Sequence, residues 1–141
     1  MDEHSLKVTV DTPNGEVFSY ETATLVMLHT TGGVVGVMAN HSPIVAALQV
    51  SEVHIVDDNN NFDEVVAVSG GFAEFSNNTL TVLVESAECV EDIDLNRAEA
   101  ARERAERHLK NEQESRDKIR AEAALMRAVN RINAVNSESG K

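Results

Sequence analysis

The chain changes character at about residue 90. Both prolines, Pro13 and Pro43, and six of the seven glycines precede that point, and Lys7 is the only basic residue before it. The other eleven Lys and Arg follow it. Acidic residues divide thirteen to eleven, so the first part carries −12 and the second is balanced. A turn-rich acidic stretch and an alanine- and arginine-rich stretch without internal Gly or Pro require two different secondary structures. The split predicts two domains, 1–88 and 89–141, with a disordered tail from about residue 136. About 90 residues can bury a core without metals or disulfides. The roughly 50 that follow are marginal as isolated helices and must lean on something.

Cys89 is the only cysteine, so no internal disulfide forms and a cytosolic type of compartment is expected. Met1-Asp2-Glu3-His4 does not read as a signal peptide. Residues 22–51 contain no Asp, Glu, Lys or Arg, but they hold Gly32, Gly33, Asn40, His41 and Pro43. They predict core strands plus a contact surface, not a membrane span, so no direct membrane insertion is expected. A body with one lysine cannot neutralise phosphates along a nucleic acid, which excludes that partner. The five His residues are scattered, and no Cys/His spacing predicts a metal site.

Leu6–Val10 alternates apolar and polar, the period of a half-buried strand. Thr12-Pro13-Asn14-Gly15 is a turn. Val17–Tyr20, Ala23–His29, Val34–Met38 and Ile44–Leu48 follow as short strands. Glu52–Val56 and Asp63–Val68 flank the polar run Asp57–Asn61, and Phe72–Phe75 and Thr79–Val84 flank Asn77-Asn78, two hairpin signals. Some nine short strands predict an all-β sandwich or barrel. After Asp94 the period lengthens. Leu95, Ala98, Ala101, Ala105 and Leu109 recur three and four apart, as do Ala121, Leu125, Ala128, Ile132 and Val135. Asp94 can cap the first helix, Asn111 to Ser115 reads as a turn, and the narrow alanine stripes suit two closely packed antiparallel helices.

No catalytic constellation emerges. Gly33-Val34-Val35-Gly36 and Ser69-Gly70-Gly71 lack the lysine of a phosphate loop. Ser42 has no nucleophile-elbow context, and Cys89 lies among acids that would raise a thiol pKa. The arginines are more informative. Arg97 and Arg104 are seven apart on one helix, and Arg127 and Arg131 are four apart on the other. Folded together, they could converge on a polyphosphate or simply solubilise the helices.

Three strings resemble one family. Gly36-Val37-Met38-Ala39-Asn40-His41-Ser42-Pro43-Ile44-Val45-Ala46-Ala47-Leu48 resembles the G-I-L-P-N-H-A-P-x-x-x-x-L segment of the epsilon subunit of F-type ATP synthases. Val68–Phe75 is similar to its s-G-G-f-x-e-v strand pair, and Ile93–Ala98 to its I/L-D-x-x-R-A helix start. The resemblance runs from about Leu6 to Ile132. It implies a ten-stranded β-sandwich followed by an antiparallel two-helix hairpin, and a non-catalytic rotor subunit of the central stalk. The implied partners are the gamma subunit, the c-ring and the catalytic alpha/beta head, at the cytoplasmic face of the cell membrane. The hairpin would be compact or extended and regulate ATP hydrolysis. No cofactor is required, but ATP is implied as a regulatory ligand of the compact hairpin. By position, Glu88, Asp94, Arg97, Ala98, Arg104, Arg127 and Arg131 match that nucleotide site, and Val34, Asn40, His41, Ser42 and Pro43 fall in the partner-contact region. Val34 stands where the family usually has an acid, Ala39 where it has Pro, and Val50-Ser51 where a Pro-Gly turn is common. The alternative reading is a stand-alone nucleotide-sensing or adaptor domain.

Overall fold

The computed structural model describes residues 4–90, 93–111 and 115–139. Alternation and turn chemistry produce the strands in order. β1 (Leu6–Thr12), β2 (Gly15–Ala23), β3 (Leu25–Thr30) and β4 (Gly33–Val37) lead into two long strands, β5 (Ile44–Asp57) and β6 (Phe62–Ser76). β7 (Thr79–Leu83) and the short β8 (Ala87–Cys89) complete the sandwich. The strands hydrogen-bond in the order β2-β1-β7-β6-β5-β3-β4, with β8 also paired to β6. Neighbours are antiparallel except β1 and β7, which run parallel. Asn77 and Asn78 both adopt left-handed φ, 50° and 57°, which gives the β6–β7 hairpin the twist its strands need.

The ten strands implied by the resemblance are eight among the described residues, and the sequence reading splits two of them. Ile44–Leu48 and Glu52–Val56 are halves of β5; Asp63–Val68 and Phe72–Phe75 are halves of β6. The reason is that the β5–β6 ribbon bends without losing register, since Leu48 pairs with Gly71 and Val50 with Ser69. Gly70 and Gly71 take φ of 94° and 126° at the bend. A Cβ on Gly71 would lie 2.2 Å from the Leu83 carbonyl oxygen, so only glycine fits there. Ribbon halves therefore serve both layers. One core holds Val8 and Val10 from β1, Leu28 from β3, Val53 and Ile55 from β5, Val66 and Phe75 from β6, and Leu80 from β7.

A buried carboxylate ties the layers at one end. Asp57 accepts hydrogen bonds from Asn60 Nδ2 (2.6 Å), Tyr20 Oη (2.7 Å) and Thr22 Oγ1 (2.8 Å), and from the backbone N–H of Asn59 (3.0 Å). These donors, Asn60 first, hold its carboxyl well below the usual carboxylate range. Tyr20 is pushed up, by burial first and then by the Asp57 carboxylate it bonds.

Helices α1 (Leu95–Asn111) and α2 (Ser115–Ser139) pack on each other, burying Ala98, Ala105, Ala121, Ala128 and Ile132. These are members of the predicted stripes. Residues 112–114 of the predicted turn lie outside the described residues. α2 continues to Ser139, past residue 136, where the sequence predicts the disordered tail to begin. α2 also packs on β5 and β6, where Ala134 joins Val65, Ala67 and Val90 in a second, smaller core.

Candidate functional site

Asp94 opens α1, and its Oδ1 accepts the backbone N–H of Arg97 at 3.2 Å. That cap fixes the first turn, so Arg97 and Arg104, two turns apart, leave the same face. Glu88 is carried by β8, which pairs it with Ala67 on β6. Arg131, on α2, donates to Glu88 Oε1 from Nε at 2.8 Å and from Nη2 at 2.5 Å. Both bonds reach one oxygen of a half-exposed pair.

These elements enclose a cleft of about 460 Å³ between both helices and the sandwich. Six of the seven residues read from the sequence line it: Glu88, Asp94, Arg97, Ala98, Arg104 and Arg131. Three guanidinium groups face two carboxylates. Among the described residues neither Arg97 nor Arg104 has an ion-pair partner. The volume falls in the range of small-molecule sites, about 300–1,000 Å³. A planar donor fork on each arginine suits phosphate oxygens, so the arrangement can hold a multiply charged anion. Arg127 is the exception. It lines a separate recess with Ser69, Ser86 and Arg131 that has room for about one water, not for a ligand.

The residues expected to meet partners lie on loops and edges. Val34 is 57% exposed near the start of β4, and Asn40–Pro43 follow the end of that strand. Asn40 is left-handed (φ 65°), and its N–H donates to Asn78 Oδ1 at 2.8 Å. The His41 ring meets Phe75 edge-on at 5.9 Å, and its Nδ1 lies 2.7 Å from the Ser42 carbonyl oxygen. Ser42 and Pro43 are exposed. This loop is thus held from below while its tip faces solvent.

Residues 5–90 match the family model for the ATP synthase, Delta/Epsilon chain, beta-sandwich domain. Residues 91–136 match that for the ATP synthase, Delta/Epsilon chain, long alpha-helix domain. The ATP synthase epsilon chain of Ligilactobacillus salivarius is 50% identical over 137 residues, covering 94% of this chain and 97% of that one. This chain belongs to the ATP synthase epsilon family. A second epsilon chain, from Staphylococcus saprophyticus, is 45% identical over 136 residues, covering 94% and 98%. The fold is similar to a chain in the Euglena gracilis mitochondrial ATP synthase structure of OSCP, F1 and c-ring. There the TM-score is 0.79 at 18% identity, covering 100% of this chain and 84% of the other. A chain in the Tetrahymena thermophila mitochondrial ATP synthase central stalk and c-ring structure gives 0.60 at 15% identity, covering 96% and 99%.

In this epsilon-family chain the cleft also recruits residues that the sequence reading did not assign to it. Ile93, Ala100 and Ala101 line its wall. Ala100 and Ala101 are readable as α1 neighbours of Arg97 and Arg104 once the face is known. Asn130 carries no such signal. It is a buried polar side chain on α2, off the predicted stripe, and it bonds to the sandwich.

Proposed function

We propose that the chain is a non-catalytic subunit of the central stalk of an F-type ATP synthase, peripheral at the cytoplasmic face of the membrane. The sandwich stands against the gamma subunit and the c-ring, and the two helices form an antiparallel regulatory hairpin beneath the alpha/beta head. The antiparallel reading is supported by the cleft itself, because the start of α1 and the second half of α2 line the same space. No described helix is long and apolar enough to cross a membrane.

A bare apolar face supports the assembly role. Cross-strand register places Ala47, Phe72 and Leu83 in one row and Val45, Glu74 and Thr81 in the next. Phe72 is 58% exposed, Leu83 48% and Val45 71%, in contrast to the buried Ala73, Phe75 and Val82 that alternate with them. Large apolar side chains grouped this way on a water-facing sheet mark a protein contact.

ATP is the proposed ligand of the compact hairpin. The observation that carries this is the convergence of Arg97, Arg104 and Arg131 in one cleft with Glu88 and Asp94. The site needs both helices and β8 in place, so ATP binds the compact form better, and only such a difference shifts a population. A dissociation constant near 1 μM corresponds to about 8 kcal/mol. Taking a 1:99 equilibrium to 99:1 needs about 5.5 kcal/mol of differential binding. Calorimetry with ATP on the wild type, Arg104→Ala and Arg131→Ala tests the reading. Binding that weakens at least about tenfold in both variants, a loss of about 1.4 kcal/mol, is expected. No heat at millimolar ATP, or equal affinity in all three proteins, would remove the ligand role and leave the stalk assignment standing.

A further inference from the structure

Asn130 is 8% exposed and lies where α2 meets the sandwich. Its Nδ2 donates to the carbonyl oxygen of Ser51 at 2.8 Å and of Val68 at 3.2 Å. Ser51 and Val68 face each other across β5 and β6, beside the bend at Gly70 and Gly71. A primary amide is the short neutral side chain that offers two N–H groups from one nitrogen. A hydroxyl could serve one carbonyl, and a leucine neither.

The rest of this contact fixes little. Its apolar members, the buried Val65, Ala67, Val90 and Ala134 with the partly buried Ile93 and Val135, make contacts without direction. A helix resting on them can roll, and rolling swings its arginines. Two hydrogen bonds to fixed backbone oxygens remove that freedom. The next residue is Arg131, which must reach Glu88 Oε1 from two nitrogens.

We propose that Asn130 is a positioning residue for the cleft: its paired bonds into the β5–β6 ribbon set the rotation of α2, which aims Arg131 at Glu88 and at a bound polyphosphate. Asn130 itself does not line the cleft. The ligand half of this statement rests on the function proposed above; the Arg131 half does not.

The test uses the full chain labelled with ¹⁵N, as wild type, Asn130→Asp and Asn130→Leu. Both variants approximate the shape of asparagine and lack its two donors. The readouts are the Arg131 Nε–H resonance, the contact of the Ala134 methyl with Val65 and Ala67, and ATP titration. The wild type should show a slowly exchanging Arg131 Nε–H. In both variants that signal should be lost while the Ala134 contact persists, and ATP affinity should fall at least about tenfold, equivalent to about 1.4 kcal/mol. Retention of the Arg131 signal in either folded variant overturns the proposal. So does loss of the Ala134 contact together with the signal, because Asn130 is then an anchor for the whole helix and does not set its rotation. If one variant does not fold, the other is read by the same criteria. If the wild type binds no ATP, the nucleotide reading fails and the Arg131 signal still decides the role of Asn130.

Discussion

The sandwich has two outer faces, and they are built from different materials. The face under α2 offers Val65, Ala67 and Val90 to Ala134, with a polar pin at Asn130 and a half-exposed ion pair between Arg131 and Glu88. The opposite face offers Phe72, Leu83 and Val45, and no described part of the chain covers them. Small apolar groups and water-tolerant polar bonds can part at modest cost, since both sides are resolvated. Each large apolar side chain that becomes fully buried contributes about 1.5–3 kcal/mol, a contact made to persist. The two faces thus differ in chemistry as a reversible contact differs from a permanent one. The chain covers the first with its own helices, and in the assembly proposed above the second meets another subunit.

The largest test of that contrast is a charge on the bare face. Phe72→Glu should leave the unfolding free energy of the isolated chain within about 0.5 kcal/mol, because the side chain is already solvated. It should weaken assembly by on the order of 2–4 kcal/mol if Phe72 anchors the contact. Recovery of the subunit with its complex, set against urea unfolding of the free chain, reads both numbers. Normal recovery would mean that the bare face is bare in the complex too.

On the covered face, Ala134→Leu adds bulk where the alanine is fully buried. Overpacking should cost the docked hairpin about 1–3 kcal/mol and leave the sandwich intact. Limited proteolysis should cut α1 and α2 faster than in the wild type, with an unchanged sandwich fragment. Unchanged cleavage would show the hairpin contact to be as permanent as the other.

The smallest effect is confined to acid. Asp57 joins β2 to the β5–β6 turn, so it holds the two layers together at that end. Its folded pKa lies below its unfolded one. Its stabilising contribution is therefore fully present above the unfolded value, about 3.9. It is lost as pH falls from there through the folded pKa. Thermal melts of the wild type should lose stability through this window more steeply than those of Asp57→Asn. Parallel acid limbs would remove Asp57 from the account.

Much of this was legible in the residues. Alternation located the strands up to β7, Asn77-Asn78 located a hairpin, and Asp94 located a helix start, because each is a local preference with a local cause. The ribbon bend was not legible, since a glycine pair looks the same whether a strand ends or curves. β8 is three residues long with Glu88 at its centre, too short for a period. The unbroken run Val65–Val68 is buried on both sides, which its composition suggests, but nothing in it names α2 as the cover. Spacing also explains part of the cleft. Seven residues bring a helix back to within about 20° of the same direction, so Arg97 and Arg104 stay together. Four residues also keep Arg127 and Arg131 on one face, and both line the small recess; only Arg131 reaches the cleft as well, which spacing alone does not decide. Asn130 answers to a tertiary contact and leaves no trace in the pattern.

The parallel pairing of β1 with β7 has a consequence for synthesis. β1 can zip to β2 as soon as residues 15–23 appear, but Lys7 must wait for Thr79, and Asp11 for Leu83. At roughly 5–20 residues per second, the first strand made stands half-paired for several seconds. Its inner face, Leu6, Val8 and Val10, is wholly apolar and is buried once the sheet closes. The sandwich is therefore sealed late, by an arriving strand, and α1 and α2 come off the ribosome onto a face completed only moments before.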